Sequence, residues 1–228
     1  RNVTGVQTCA LPICDPSTPG YPSRAGAPRI PLDSMPVPRI PVLPLSYGNA
    51  LELLQGVRGS TLPRGWQGGL AFRYHVGPGP VQARVKVWSD SATAPLKPIW
   101  DTFGIIKGSE FPDEFVFVGG HRDAWSPGAV DNVSGTTSVV ESARAVAEQL
   151  RAGWRPRRTL VFATWDAEEW GIVGSTEYVE DDSLRLMRGG VAYLNQDVSA
   201  SGAAFGGGGS PSLRGLLRDV AKTIADPN

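Results

Sequence analysis

The sequence predicts an α/β fold: a largely parallel sheet covered by helices, preceded by a turn-rich segment with β character. Three observations carry this reading. Short apolar runs at residues 115–118 (FVFV), 159–164 (TLVFAT) and 191–194 (VAYL) are too short for helices and fit strands buried on both faces. Helical patterns separate them, and strands alternating with helices argue for parallel pairing. Each run also leads into polar residues at its carboxyl end: His121, then Asp166, Glu168 and Glu169, then Asp197.

Residues 15–44 are rich in proline with few periodic apolar positions, and read alone as an extended linker. Ser46 then offers an N-cap to a short helix carrying Ala50, Leu51, Leu53 and Leu54, stopped at Gly56. Residues 77–80 (GPGP) form a tight turn, and residues 81–88 alternate Val81, Ala83, Val85 and Val87 against polar neighbours, predicting a half-buried strand. Residues 99–106 predict another. His75 stands alone in this part and reads as a surface or packing residue.

From residue 111 onward the alternation of strand and helix begins. Residues 134–150 predict a long helix with Val139, Val140, Ala143, Val146, Ala147 and Leu150 on one face. After the 159–164 strand, Gly171 and Gly174 loosen the backbone before Ser175 caps a helix through Glu177 and Tyr178. Residues 213–224 predict a last helix. The glycines at 206–209 lack a following Lys-Ser/Thr and read as a loop, not a phosphate cradle.

Twenty-two basic residues balance 22 acidic ones in 228, so nothing draws the chain toward nucleic acid or an anionic membrane. No apolar run approaches the roughly 18 residues of a membrane span, and the start has no continuous apolar core of a targeting segment.

Acids at the carboxyl end of a buried strand are costly unless something positive sits there. In open α/β sheets that edge is where ligands bind. His121, Asp131 at the mouth of the following helix, the Glu168–Glu169 pair and Asp197 converge on it. One imidazole with several carboxylates suits a divalent metal, zinc foremost. Asp123, two residues past His121, can supply a carboxylate to orient the imidazole. Adjacent glutamates can divide the work, one binding metal and one handling a proton; spacing alone does not rank them. A two-carboxylate glycosidase built on either would leave His121 and Asp131 without a task.

The segments GGHRDAWSPGAVDNVSG, GWRPRRTLVFATWDAEEWGIVGSTEYVE and GVAYLNQD resemble the glutamate carboxypeptidase II branch of the co-catalytic zinc peptidases, which also includes the transferrin receptors. Upstream, DPSTPGYP, IPVLPLSYGNALELL and VGPGP resemble that family's apical, protease-associated domain. The resemblance implies the C-terminal part of a protease-associated domain over residues 14–95 and the N-terminal part of a zinc peptidase domain over 96–228. It implies a zinc-dependent exopeptidase of carboxypeptidase, aminopeptidase or dipeptidase type, acting on peptides through a hydroxide held between two zinc ions. Asp131 would bridge the ions, His121 and Glu169 would complete one set of ligands, and Asp197 would serve the other. Glu168 would be the general base and Asp123 the partner of His121. Thr18, Tyr21, Glu177 and Glu180 match positions that meet a calcium ion. An extracellular, periplasmic or membrane-anchored ectodomain follows from the same likeness, as does a homodimer formed through a C-terminal helical domain.

Three departures shape the expectation. The family's last zinc ligand is a histidine after the Asp197 position, and no histidine follows His121. The arginine used near the substrate is absent from residues 203–208, and the pocket and dimerisation regions fall beyond residue 228. The expected chain is therefore a piece of a longer protein, inactive alone, with an incomplete second zinc site. The other expectation from the same fold is a receptor-like, non-catalytic protein. Residues 3–13 (VTGVQTCALPI) resemble a translated sequencing adaptor, so residues 1–13 are set aside. With them go any inference from Cys9, Cys14 or the Asn2-Val3-Thr4 sequon.

Overall fold

The computed structural model describes residues 15–88, 96–200, 202 and 204–225. The adaptor-like stretch therefore lies outside the described residues. The chain divides into two compact units, one of residues 37–97 and one joining the chain up to Pro36 with Pro98 onward.

In the smaller unit, helix α1 (Tyr47–Gly56) begins as its sequence suggests, with Ser46 Oγ accepting the Asn49 amide hydrogen at 3.2 Å. Strands β1 (Ser60–Thr61) and β2 (His75–Val76) make a two-residue antiparallel ladder. The strand predicted over residues 81–88 does not form. Those residues take no regular secondary structure and join no ladder, and Val81, Val85 and Val87 are 44–58% exposed. Alternation stabilises a strand only against a paired neighbour and a core, and neither is present among the described residues.

The larger unit holds a four-stranded sheet in the order β3-β5-β4-β6, formed by β3 (Thr102–Ile106), β4 (Phe111–His121), β5 (Arg158–Trp165) and β6 (Gly190–Asn195). Pairs β4–β5 and β4–β6 are parallel, and β3 lies antiparallel along β5 as an edge. The sheet is thus largely parallel, as the alternation of elements predicts. Strand β4 sits between its two parallel neighbours and runs seven residues longer than its apolar core of four.

Helix α2 (Val133–Arg151) matches the predicted amphipathic span and buries Val139 against the sheet. Helix α3 (Val173–Asp181) starts two residues before Ser175, so that serine is not its cap; the chain enters through Ile172 in the left-handed region. Helix α4 (Ser183–Gly189) was not foreseen, because seven residues are too few for a periodic signal. Helix α5 (Arg214–Ala221) is shorter than the span of 213–224. None of these helices is long and apolar enough to cross a membrane.

Phe115, Phe117 and Val161 form a buried cluster under Tyr178 and Leu186. Burying each such side chain contributes about 1.5–3 kcal/mol. That cluster fixes α3 and α4 on one face of the sheet.

Residues 15–36 are not the free linker that their proline content suggests. Asp15 and Ser23 donate their amide hydrogens to the two oxygens of Glu177 on α3, at 2.9 and 2.5 Å. Ser17 and Thr18 are 3% and 0% exposed. Arg29 donates to Asp15 Oδ2 at 2.6 Å. Burial would raise the Asp15 pKa, but hydrogen bonds from Ser17, Ser23 and Arg29 outweigh it and lower it to about 2. Proline limits backbone freedom without preventing docking; the hydrogen-bonding residues between the prolines carry the contact.

Candidate metal centre

The site is built where β4 ends. Gly119 and Gly120 let the chain beyond β6 come close: Gln196 donates its amide hydrogen to the Gly119 carbonyl at 2.7 Å, and a Cβ on Gly120 would lie 2.2 Å from the Gln196 carbonyl oxygen. Gly135 in the first turn of α2 permits a second close approach, since a Cβ there would sit 2.0 Å from the Asp197 carbonyl oxygen. Together these contacts bring Asp197 to the same edge as His121.

His121 is 4% exposed and anchored through its main chain. Its carbonyl accepts hydrogen bonds from Asn132 Nδ2 at 2.5 Å and Thr136 Oγ1 at 2.7 Å. The ring is oriented from both sides. Nδ1 faces the Asp123 carbonyl oxygen at 3.0 Å, a contact in which the nitrogen must donate, so Nε2 is the ring nitrogen turned toward the acidic groups. Nε2 lies 3.1 Å from Asp131 Oδ1, 3.3 Å from Asp197 Oδ1 and 3.8 Å from Glu168 Oε2.

The Asp123 carboxylate has a second task. Its two oxygens accept the amide hydrogens of Glu168 and Glu169 at 3.0 and 3.1 Å, while Oδ1 stands 3.5 Å from the His121 ring. One side chain therefore fixes the acidic loop, and its own main chain holds the imidazole. The loop is bracketed by two residues in the left-handed region, Ala167 (φ 55°) and Ile172 (φ 59°). For a β-branched residue this costs on the order of 1–3 kcal/mol, the kind of strain that persists only where surrounding contacts impose it. Here they are the bonds from the Ile172 amide to the Glu168 carbonyl and from the Val173 amide to the Ala167 carbonyl, at 2.7 and 3.0 Å.

Asp166, the first acid of the run, does not join the cluster. Its Oδ2 accepts from the Trp100 amide at 3.0 Å and the Arg122 guanidinium at 3.3 Å, and its own amide donates to Asp101 Oδ1 at 2.9 Å. It props the loop from behind.

A ring nitrogen of His121 and one carboxylate oxygen each from Asp131 and Glu169 all fall within 4.8 Å of one another. Asp197 approaches Nε2 but is not part of that mutually close trio. Burial alone would lower the His121 pKa; the charges of Glu168, Asp197 and Asp123 outweigh it and raise it. The Glu168 pKa is raised by burial first and then by Asp197, Glu169 and Asp123, against the lowering effect of His121. A nitrogen and several carboxylates that repel one another around a common point are a donor set fitted to a small divalent cation.

A second group of acids stands on α3 against the segment at residues 15–23. Glu177 and Glu180 on α3 face the docked segment at residues 15–23, with Glu177 bonded to Asp15 and Ser23 as above. Thr18 Oγ1 and Glu180 Oε2 are buried with no hydrogen-bond partner. Burial and then the charge of Glu177 raise the Glu180 pKa, against a hydrogen bond from the Gly20 main chain. The Tyr21 hydroxyl is turned away and donates to the Pro28 carbonyl at 2.6 Å.

Asn132, Thr136 and Gln196 are the contributors that sequence reasoning missed. Asn132 is 1% exposed. Its signal was its position between Asp131 and a helix start, where an asparagine usually caps; here its side chain bonds back to His121 instead.

Residues 101–227 match peptidase family M28. The chain is 40% identical over 219 residues to a probable glutamate carboxypeptidase, VP8, of Zea mays, covering 94% of this chain and 30% of that protein. It is 38% identical over 223 residues to the aminopeptidase NAALADL1 of Mus musculus, covering 93% of this chain and 30% of the relative. It is also 38% identical over 216 residues to transferrin receptor protein 2 of Homo sapiens, covering 94% of this chain and 26% of the relative. The chain thus spans under a third of the length of these relatives.

Proposed function

The chain belongs to peptidase family M28, and from that premise we propose that it carries the metal-binding part of a zinc-dependent exopeptidase that hydrolyses peptides. The observation that carries this reading is the trio of His121, Asp131 and Glu169 at the carboxyl edge of the sheet. These three would hold one zinc ion, and Asp197 with a share of Asp131 would hold part of a second site. Bound zinc supplies a Lewis acid for the scissile carbonyl and lowers the pKa of water.

The chain's own residues supply the rest. The Asp123 main chain keeps the His121 proton on Nδ1, so Nε2 stays a donor of electrons. The Asp123 carboxylate fixes two successive amides and so sets the positions of Glu168 and Glu169 together. Glu168 would take a proton from the attacking water on a carboxylate oxygen and return it to the leaving nitrogen. A full-length protein carrying this segment is expected to hydrolyse short peptides, to lose that activity on metal removal, and to regain it with zinc. Activity that survives complete removal of metal would overturn the reading.

The non-catalytic alternative retains one specific support, the likeness to a transferrin receptor. Against it stand the ligand types retained at every position this chain can supply. The exopeptidase reading carries with it an ectodomain location and a homodimer in the full-length protein.

The second cation site is part of the same proposal. Thr18, the Tyr21 carbonyl, Glu177 and Glu180 would bind calcium, tying residues 15–23 to α3. Two half-buried carboxylates and a hydroxyl are the anionic and neutral oxygens that a hard cation prefers, and the supporting observation is that Thr18 Oγ1 and Glu180 Oε2 are each buried without a hydrogen-bond partner. Calcium added to the zinc-saturated, calcium-stripped protein is expected to raise the thermal midpoint by roughly 5–10 °C. Glu180→Gln should blunt that response. An unchanged midpoint would count against the site.

A further inference from the structure

Two large aromatic side chains flank the metal centre and take no part in it. Trp125 lies two residues past Asp123, and Trp170 directly follows Glu169. Their ring centroids are 4.6 Å apart at an interplanar angle of 50°. Both remain open to solvent, at 66% and 71% exposure. Indoles are rarely left so exposed on two separate loops that nonetheless bring them into contact. The loops concerned are those that place His121, Asp123, Glu168 and Glu169.

Consecutive Cα atoms are about 3.8 Å apart, so Trp170 cannot be far from a carboxylate of the proposed zinc trio. Gly171, at φ 120°, follows it and turns the chain back toward α3. Trp170 stays exposed, and the Trp125 ring packs against it. The tilt means that the rings do not stack face to face, so part of each ring face stays open.

We propose that Trp125 and Trp170 form an aromatic clamp that takes the apolar side chain of the substrate residue next to the scissile bond. The proposal rests on the zinc peptidase reading and adds a side-chain preference to it. A peptide held at the metal centre would have one side chain within reach of these open ring faces. Burying an aliphatic or aromatic group there removes apolar surface of both partners from water. A cationic side chain could be drawn to the ring faces, but each ring already covers part of the other, and the divalent metal nearby would oppose it.

The experiment uses amino-acid hydroxamates, in which one end chelates zinc and the side chain is varied. Zinc content of the chain is measured first, and the hydroxamates of glycine, phenylalanine and lysine are then titrated by calorimetry. Phenylalanine hydroxamate is expected to bind roughly tenfold tighter than the glycine compound. In Trp125→Ala and in Trp170→Ala that ratio should fall to about two or less, with zinc content and glycine hydroxamate affinity unchanged. Trp170→Phe, which keeps an aromatic ring, should retain most of the preference. Equal affinity of the glycine and phenylalanine compounds for zinc-loaded protein would overturn the clamp and leave the zinc reading standing, as would a preference for lysine. Absence of zinc with no hydroxamate bound would overturn the zinc reading and the clamp with it.

Discussion

Glu168→Gln, placed in a full-length protein carrying this segment, is expected to lower kcat by roughly two to four orders of magnitude while the zinc content stays unchanged. The two glutamates are neighbours in sequence, yet they stand differently. An oxygen of Glu169 falls within the trio formed with His121 and Asp131, whereas Glu168 Oε2 lies 3.8 Å from His121 Nε2 and outside that trio. Both amides are pinned to one carboxylate, that of Asp123, so the loop cannot readily exchange one side chain for the other. Glutamine keeps the size of Glu168 and its hydrogen-bonding reach but cannot take a proton. The loss should therefore fall on kcat, with little change in substrate affinity. Glu169→Gln should do the reverse and reduce bound zinc first. If Glu168→Gln strips zinc, the two roles have been assigned to the wrong residues.

The convergence of these groups was legible in the sequence because strand ends are easy to find. Phe115, Phe117 and Val161 are apolar, short-spaced and bounded by polar residues, and that pattern located the carboxyl edge. What sequence could not supply was orientation. Asp166 looks like Glu168 and Glu169 by composition, yet it faces Trp100, Asp101 and Arg122, because the left-handed turn at Ala167 separates it from them. Asp123 was expected to use its carboxylate on His121; that carboxylate does stand 3.5 Å from Nδ1, but it also accepts the two loop amides, and the carbonyl faces the ring at the shorter distance. Such division between main chain and side chain leaves no trace in residue type. Residues 81–88 failed in the opposite sense, since a clear alternation had no neighbouring strand to pair with among those described. Local pattern specifies what a segment can do, and its partners decide whether it does so.

Residues 1–228 by themselves are expected to bind one zinc ion firmly and to show peptidase activity at background. The first position has an imidazole nitrogen and two carboxylates within mutual reach, three protein ligands and an open place, the usual number for a catalytic zinc. A second position would have only Asp197 and a share of Asp131, two anionic oxygens and no nitrogen. The sequence holds two histidines, and the other, His75, belongs to the smaller unit, where its Nδ1 faces the Gly59 carbonyl at 2.9 Å. A zinc ion held by carboxylates alone should exchange readily at micromolar metal, because zinc favours nitrogen and sulfur donors over a purely oxygen set. Without a second charge near the reacting carbonyl, Glu168 has a poorer acid to deprotonate and the developing oxyanion has less to stabilise it. Metal analysis after gel filtration should give close to one zinc per chain, falling toward zero in His121→Ala. Two tightly held zinc ions, or robust hydrolysis by the isolated chain that a chelator abolishes, would mean that the second site draws on residues other than Asp131 and Asp197.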